Sequence, residues 1–76
     1  MKAVLEVLKG IRPEFDFSTS EDFIADGMLD SLDVVTLINE LDQKYGISIA
    51  GTDILPENVR NLAAITKLLH KYGIAP

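Results

Sequence analysis

The run Asp30-Ser31-Leu32-Asp33 sets one hydroxyl between two carboxylates, where a loop sequence gives way to a helical one. A serine nucleophile needs a His or Lys base within reach. No basic residue lies between Arg12 and Lys44, and the one histidine, His70, lies far along the chain beside Lys71. There it reads as a solvated surface residue. Ser31 is therefore better suited to being modified by a second protein that brings its own base and metal than to acting as a hydrolase nucleophile. Serine is also a preferred N-cap residue, and an Asp-Ser pair before a helix needs no further role than capping it. Two neighbouring features argue for more. Leu32 and Val35 lie beside the apolar stripe of the following helix rather than within it; left exposed, they form a docking patch, although they could also simply widen the buried face. Gly27 permits the close turn that brings Asp26-Gly27-Met28-Leu29 up to the helix start, so the hydroxyl is displayed at a corner.

The elements that must hold this corner follow from apolar spacing. Val4, Leu5, Leu8 and Ile11 predict a first helix over residues 2–10, ended by Gly10 and Pro13. Residues 11–29 form a long connection without a sustained period, and Phe15, Phe17 and Phe23 are its expected anchors. Ser18 to Asp22 reads as a turn or a short helical start. Val34, Leu37, Ile38, Leu41 and Tyr45 make one stripe of a second helix at 31–45. Asp30 or Ser31 is its N-cap, Asp33 suits the dipole of its first turn, and Gly46 is its stop. Ile47-Ser48-Ile49 reads as a short extended piece. Thr52 to Asn58 allows one or two helical turns, interrupted by Pro56. Asn61 caps a last helix with Leu62, Ile65, Leu68, Leu69 and Tyr72 on one face, ended by Gly73. The expected fold is all-α, a small bundle of three to four helices with a long loop between the first two, in a single domain spanning residues 1–76.

Composition narrows the function. A chain of 76 residues with 47% apolar content supports one core, though a domain of this size buries only roughly 60% of its unfolded surface. No apolar run approaches the ~20 residues of a membrane span, and Glu6 interrupts what would be the apolar region of a signal peptide. The expectation is a cytoplasmic protein without membrane insertion. The absence of cysteine excludes disulfides and thiolate metal sites. The net charge of −5 argues against nucleic acid. Glu14, Asp16, Glu21, Asp22, Asp26, Asp30, Asp33, Glu40 and Asp42 all fall in the stretch without basic residues, which reads either as a negative face that steers cationic partners or as a solvated acidic surface. Asp22, Asp26-Gly27 and Asp33 match part of a calcium-loop template, but Ile24 occupies a position that requires an oxygen ligand and Asp33 is short for the bidentate glutamate. No metal site is expected.

The segment from Asp26 to Asp33 resembles the phosphopantetheine attachment motif of acyl carrier proteins. The likeness continues through Val34 to Leu41 and through Lys44-Tyr45-Gly46-Ile47-Ser48-Ile49, and covers about residues 22–69. It implies that a phosphopantetheinyl transferase, using magnesium, esterifies Ser31 with 4′-phosphopantetheine from coenzyme A, and that Asp30 assists docking there. It further implies that the thiol of the arm carries an acyl or aminoacyl thioester, that the second helix is the recognition helix, and that Leu32, Asp33 and Val35 face partners. Leu37, Ile38, Leu41 and Ile49 stand where the family can shelter an acyl chain, or serve as ordinary core. Thr36, Asn39 and Gln43 replace residues of a denser acidic stripe seen in fatty-acid carriers, while Asp53 to Val59 looks more like D-alanyl or peptidyl carriers, with Val59 in place of a phenylalanine. The cargo stays open among fatty acyl, D-alanyl and other aminoacyl groups.

The leading reading is thus a stand-alone, monomeric carrier. It has no catalysis of its own and is served by adenylating or acyltransferring enzymes. The alternatives are a small helical interaction domain without a prosthetic group and, more remotely, an enzyme acting through Ser31.

Overall fold

In a computed structural model describing residues 2–76, each long apolar pattern becomes a helix and, among the described residues, there is no strand. The helices are α1 (Lys2–Ile11), α2 (Ser31–Tyr45), α3 (Pro56–Val59) and α4 (Leu62–Lys71), with a 3-10 turn at Gly51–Asp53. Helix α1 does not stop at Gly10. It runs to Ile11, and the Arg12 N–H still donates to Leu8 O at 2.9 Å. Pro13 is the stop, because it disfavours helical backbone at the residue before it. Pro56 does not interrupt a helix either. It opens α3 as the first helical residue, where its missing N–H would be unpaired in any case. Residues 47–49 make no ladder: Ile47 N–H donates to Asp42 O at 3.1 Å and Ile49 N–H to Asp42 Oδ1 at 3.0 Å, so this piece folds back on the end of α2.

One core joins the four helices. Val4 and Leu8 of α1, Leu37, Ile38 and Leu41 of α2, Val59 of α3, and Ile65, Leu68 and Leu69 of α4 are buried in it. Helix α1 packs on α2, and α3 on α4. Val59 is completely buried, so the position noted for its missing phenylalanine is a core position. Ile38 and Ile49 are also core.

The long connection is anchored as its aromatics suggest. Phe17 and Phe23 are buried and meet edge to face at 5.0 Å, and half-buried Phe15 stacks edge-on to Phe17 at 6.3 Å. Burying a side chain of this size is worth about 1.5–3 kcal/mol, enough to offset the ordering of roughly one or two loop residues. Two hydrogen bonds reinforce the anchor: Phe23 N–H donates to Arg60 O at 2.6 Å, and the Asn61 side-chain Nδ2 to Glu21 O at 3.0 Å. Met28 and Leu29 N–H both donate to Phe23 O. Gly27 completes this turn at a φ of 70°, in the left-handed region where a side chain is strained. The loop before α2 is therefore fixed from both the core and α4, and so is the point at which α2 begins.

Candidate functional site

Helix α2 begins at Ser31, and its cap is Asp30 rather than Ser31. Asp30 is extended, with φ −99° and ψ −175°, and its Oδ1 accepts from Asp33 N–H at 2.8 Å. Asp33 Oδ2 accepts in return from Asp30 N–H at 3.2 Å, which closes a reciprocal capping box. The capping task is thereby discharged by the neighbours of the serine. Ser31 is exposed, and its side chain makes no hydrogen bond among the described residues. A hydroxyl at the first turn of a well-capped helix, without an internal partner, is both fixed in place and available.

The surface beside it is apolar. Leu32 is 76% and Val35 53% exposed, large values for such residues, so the expectation of a lateral patch outside the buried stripe is met. Leu55, between the 3-10 turn and α3, is a third exposed large apolar residue at 41%, and nothing in the periodicity marks it. Farther along α2, Thr36, Asn39, Glu40 and Gln43 are exposed.

Asp33 is placed differently from its neighbours. Its side chain is only 14% exposed and faces the end of α1 rather than solvent, with Arg12 Nε donating to its Oδ2 at 2.8 Å. Arg12 Nη2 reaches Asp30 Oδ2 at 3.4 Å and Nη1 reaches Glu14 Oε2 at 3.5 Å. Partial burial of Asp33 disfavours its charge, but hydrogen bonds from the Asp30 backbone and from Arg12, with the charge of Arg12, outweigh it and hold the carboxyl below 3.8. The hydrogen bond and charge of Asp33 push the Arg12 guanidinium up in turn. Sequence reasoning missed Arg12. The available signal was its register: Val4, Leu8 and Arg12 are spaced by four, so the arginine continues the buried face of α1 towards α2.

Other carboxylates of the acidic stretch are also engaged. Asp16 accepts from Ser18, by its hydroxyl and N–H, which lowers its pKa. Asp22 Oδ1 accepts from the N–H groups of Ile24 and Ala25, and Asp26 accepts from the Ser20 hydroxyl. The three carboxylates of the calcium-loop template thus go to a turn, a serine and an arginine, and no group of three or more metal-ligating side chains converges among the described residues. His70 is exposed on α4.

A second ion cluster joins the 3-10 turn to the end of α4. Asp53 accepts from Lys71 Nζ at 2.7 Å and from Tyr72 Oη at 2.6 Å, while Tyr72 Oη accepts from Ala50 N–H at 2.9 Å. The hydrogen bonds from Lys71 and Tyr72 hold the Asp53 carboxyl low, and the hydrogen bond to Asp53 raises Lys71. Tyr72, expected on the core face, is half-buried and uses its hydroxyl to tie the loop after α2 to the end of α4.

Among the described residues no helix is long and apolar enough to cross a membrane. No curated protein and no solved structure gives a significant match to the chain. The family model described as the phosphopantetheine attachment site matches residues 1–69. Domains of that family carry covalently attached 4′-phosphopantetheine, are modified by a phosphopantetheinyl transferase, interact with enzymes, and are not themselves catalytic. With its helical bundle and nearly its whole length matched, the chain belongs to the phosphopantetheine attachment site family of acyl carrier protein-like carriers.

Proposed function

We propose that Ser31 bears the 4′-phosphopantetheine and that residues 1–76 work as one stand-alone carrier domain, presenting an acyl or aminoacyl group to partner enzymes. The observation that carries this reading is the exposed Ser31 hydroxyl, which no other described side chain engages because Asp30 and Asp33 do the capping. The residues fit the group. The N–H groups of Ser31 and Leu32 in the first turn of α2 also make no hydrogen bond among the described residues, and the N-terminal end of a helix suits a phosphodiester. When bound, the prosthetic group supplies a thiol, which this cysteine-free chain lacks. The chain contributes a fixed anchor and a docking surface, and tethering raises the effective concentration of cargo at each partner. In the loading step the Ser31 oxygen would bond to the pantetheine-side phosphorus of coenzyme A, the pyrophosphate P–O bond would break to release adenosine 3′,5′-bisphosphate, and the serine proton would pass to a base on the transferase.

In this reading the docking surface is formed by Asp30, Leu32 and Val35, with Asp33 behind it on Arg12. Leu32 and Val35 provide apolar contact, Asp30 an exposed carboxylate, and Asp33 the rigidity of the helix start. A monomer suits a carrier that must visit several enzymes. The D-alanyl or peptidyl type of cargo is favoured by the Asp53–Val59 segment and by the neutral Thr36, Asn39 and Gln43 on the exposed side of α2. Assays of the loaded chain with candidate adenylating enzymes would decide among cargoes.

The test is intact mass after incubation with a promiscuous phosphopantetheinyl transferase, magnesium and coenzyme A. The expected result is a gain of one phosphopantetheine in the wild type and none in Ser31→Ala. No gain in the wild type, under conditions that load a control carrier, would leave the interaction domain without a prosthetic group as the better reading.

A further inference from the structure

The acid nearest to Ser31 on α2 is answered from inside the molecule. Arg12 Nε donates to Asp33 Oδ2 at 2.8 Å and Arg12 Nη2 to Asp30 Oδ2 at 3.4 Å, so one guanidinium spans both members of the capping box. The fork geometry of arginine suits two carboxylates at once, which a lysine ammonium matches less well. The side chain of Arg12 is 36% exposed and that of Asp33 14%, so a partner's lysine or arginine meets Asp33 only by displacing Arg12. Beside this closed ion cluster stand Leu32 and Val35, both more than half exposed.

We propose that Arg12 is an internal counter-ion that sets docking specificity: by occupying Asp33 it withdraws that carboxylate from partners, and by reaching one oxygen of Asp30 it lowers the negative charge around Ser31, so that apolar contact with Leu32 and Val35 carries more of the docking there. The partner surface that fits is an apolar pocket rather than a cluster of basic residues aimed at Asp33. The inference rests on Ser31 being the loaded residue. Arg12 touches no reacting atom; it is a positioning residue that acts through the two aspartates.

The test compares transferase loading kinetics of wild type, Arg12→Gln and Arg12→Lys from low to high salt. Arg12→Gln removes a positive charge and frees three carboxylates, Asp33, Asp30 and Glu14, so at low salt its KM should fall about threefold with kcat unchanged, and the difference should vanish at high salt, as exposed charges do. Arg12→Lys keeps the charge but not the fork, so its KM should lie between those of wild type and Arg12→Gln. A merely structural role would lower kcat/KM at every salt concentration and leave the salt slope unchanged. That result, or a wild type already as salt-sensitive as Arg12→Gln, overturns the inference. Nuclear magnetic resonance titration of the Asp33 carboxyl supplies a readout that needs no loading: it should titrate below the usual range in the wild type and move up in Arg12→Gln. If it titrates normally and does not move, the counter-ion role falls even where loading succeeds. If it moves while Ser31→Ala still loads, the assignment of Ser31 falls instead.

Discussion

Asp33 at the start of α2 and Asp53 in the 3-10 turn each hold a cation from a distant part of the chain, Arg12 at 2.8 Å and Lys71 at 2.7 Å. Both carboxylates are largely covered, at 14% and 16% side-chain exposure. Their surroundings differ. Beside Asp33 stand a serine hydroxyl without a partner among the described residues and the exposed Leu32 and Val35. Around Asp53 the polar groups serve one another: Tyr72 Oη donates to Asp53 and accepts from Ala50, and Asn58 Nδ2 donates to Asp53 O. Similar ion pairs thus serve different ends. The second closes a loop onto a helix. The first fixes a helix start whose remaining groups are left for a partner.

If that distinction holds, changes near Ser31 should affect loading and changes near Asp53 should affect stability. The largest effect is expected from Val35→Asp. It sets a charge in the apolar patch, and loading should fall about tenfold, equivalent to ~1.4 kcal/mol of docking. Because Val35 is exposed, helical circular dichroism and melting should stay close to wild type; normal loading would show that the patch is misplaced. Tyr72→Phe comes next. Losing the two hydrogen bonds of its hydroxyl should cost about 1–2 kcal/mol, lowering Tm by roughly 4–8 °C per kcal/mol for a domain of this size, with unchanged loading rates. Slowed loading would erase the contrast between the two clusters.

Acid should weaken both clusters. Asp33 and Asp53 are held below the ordinary 3.8 in the folded chain. In that window the unfolded chain binds more protons, so stability rises with pH. The contribution is fully present above the unfolded value and is lost as pH falls through the lower folded values. Thermal melts from neutral to acid pH should show Tm falling below about pH 4, and Asp53→Asn should flatten part of the fall. Superimposable acid limbs would exclude Asp53 from it. The smallest effect is expected at Tyr45, whose buried hydroxyl has no hydrogen-bond partner among the described residues. Tyr45→Phe should leave stability unchanged or raise it by up to about 1 kcal/mol, without altering loading; a clear loss of stability would reveal a partner for the phenol.

The sequence by itself determined the elements whose signals are local. The stripes of α2 and α4, the Asn61 cap and the stops at Gly46 and Gly73 follow from side-chain period and from backbone preference at single residues. The family likeness around Ser31 came from residues contiguous in the chain, whereas Leu32 and Val35 beside the stripe could have been exposed or have widened the buried face, and the packing left them exposed. Tertiary structure decided what depends on elements meeting. Either Asp30 or Ser31 could cap α2, and the choice was fixed by a loop held through Phe23 and Arg60 and by Arg12 reaching across 21 residues to Asp33. The Asp53 latch likewise joins residues 18 and 19 positions apart. An ion pair of this kind leaves no period in a sequence, because its partners belong to different elements and become neighbours only when the core between them closes.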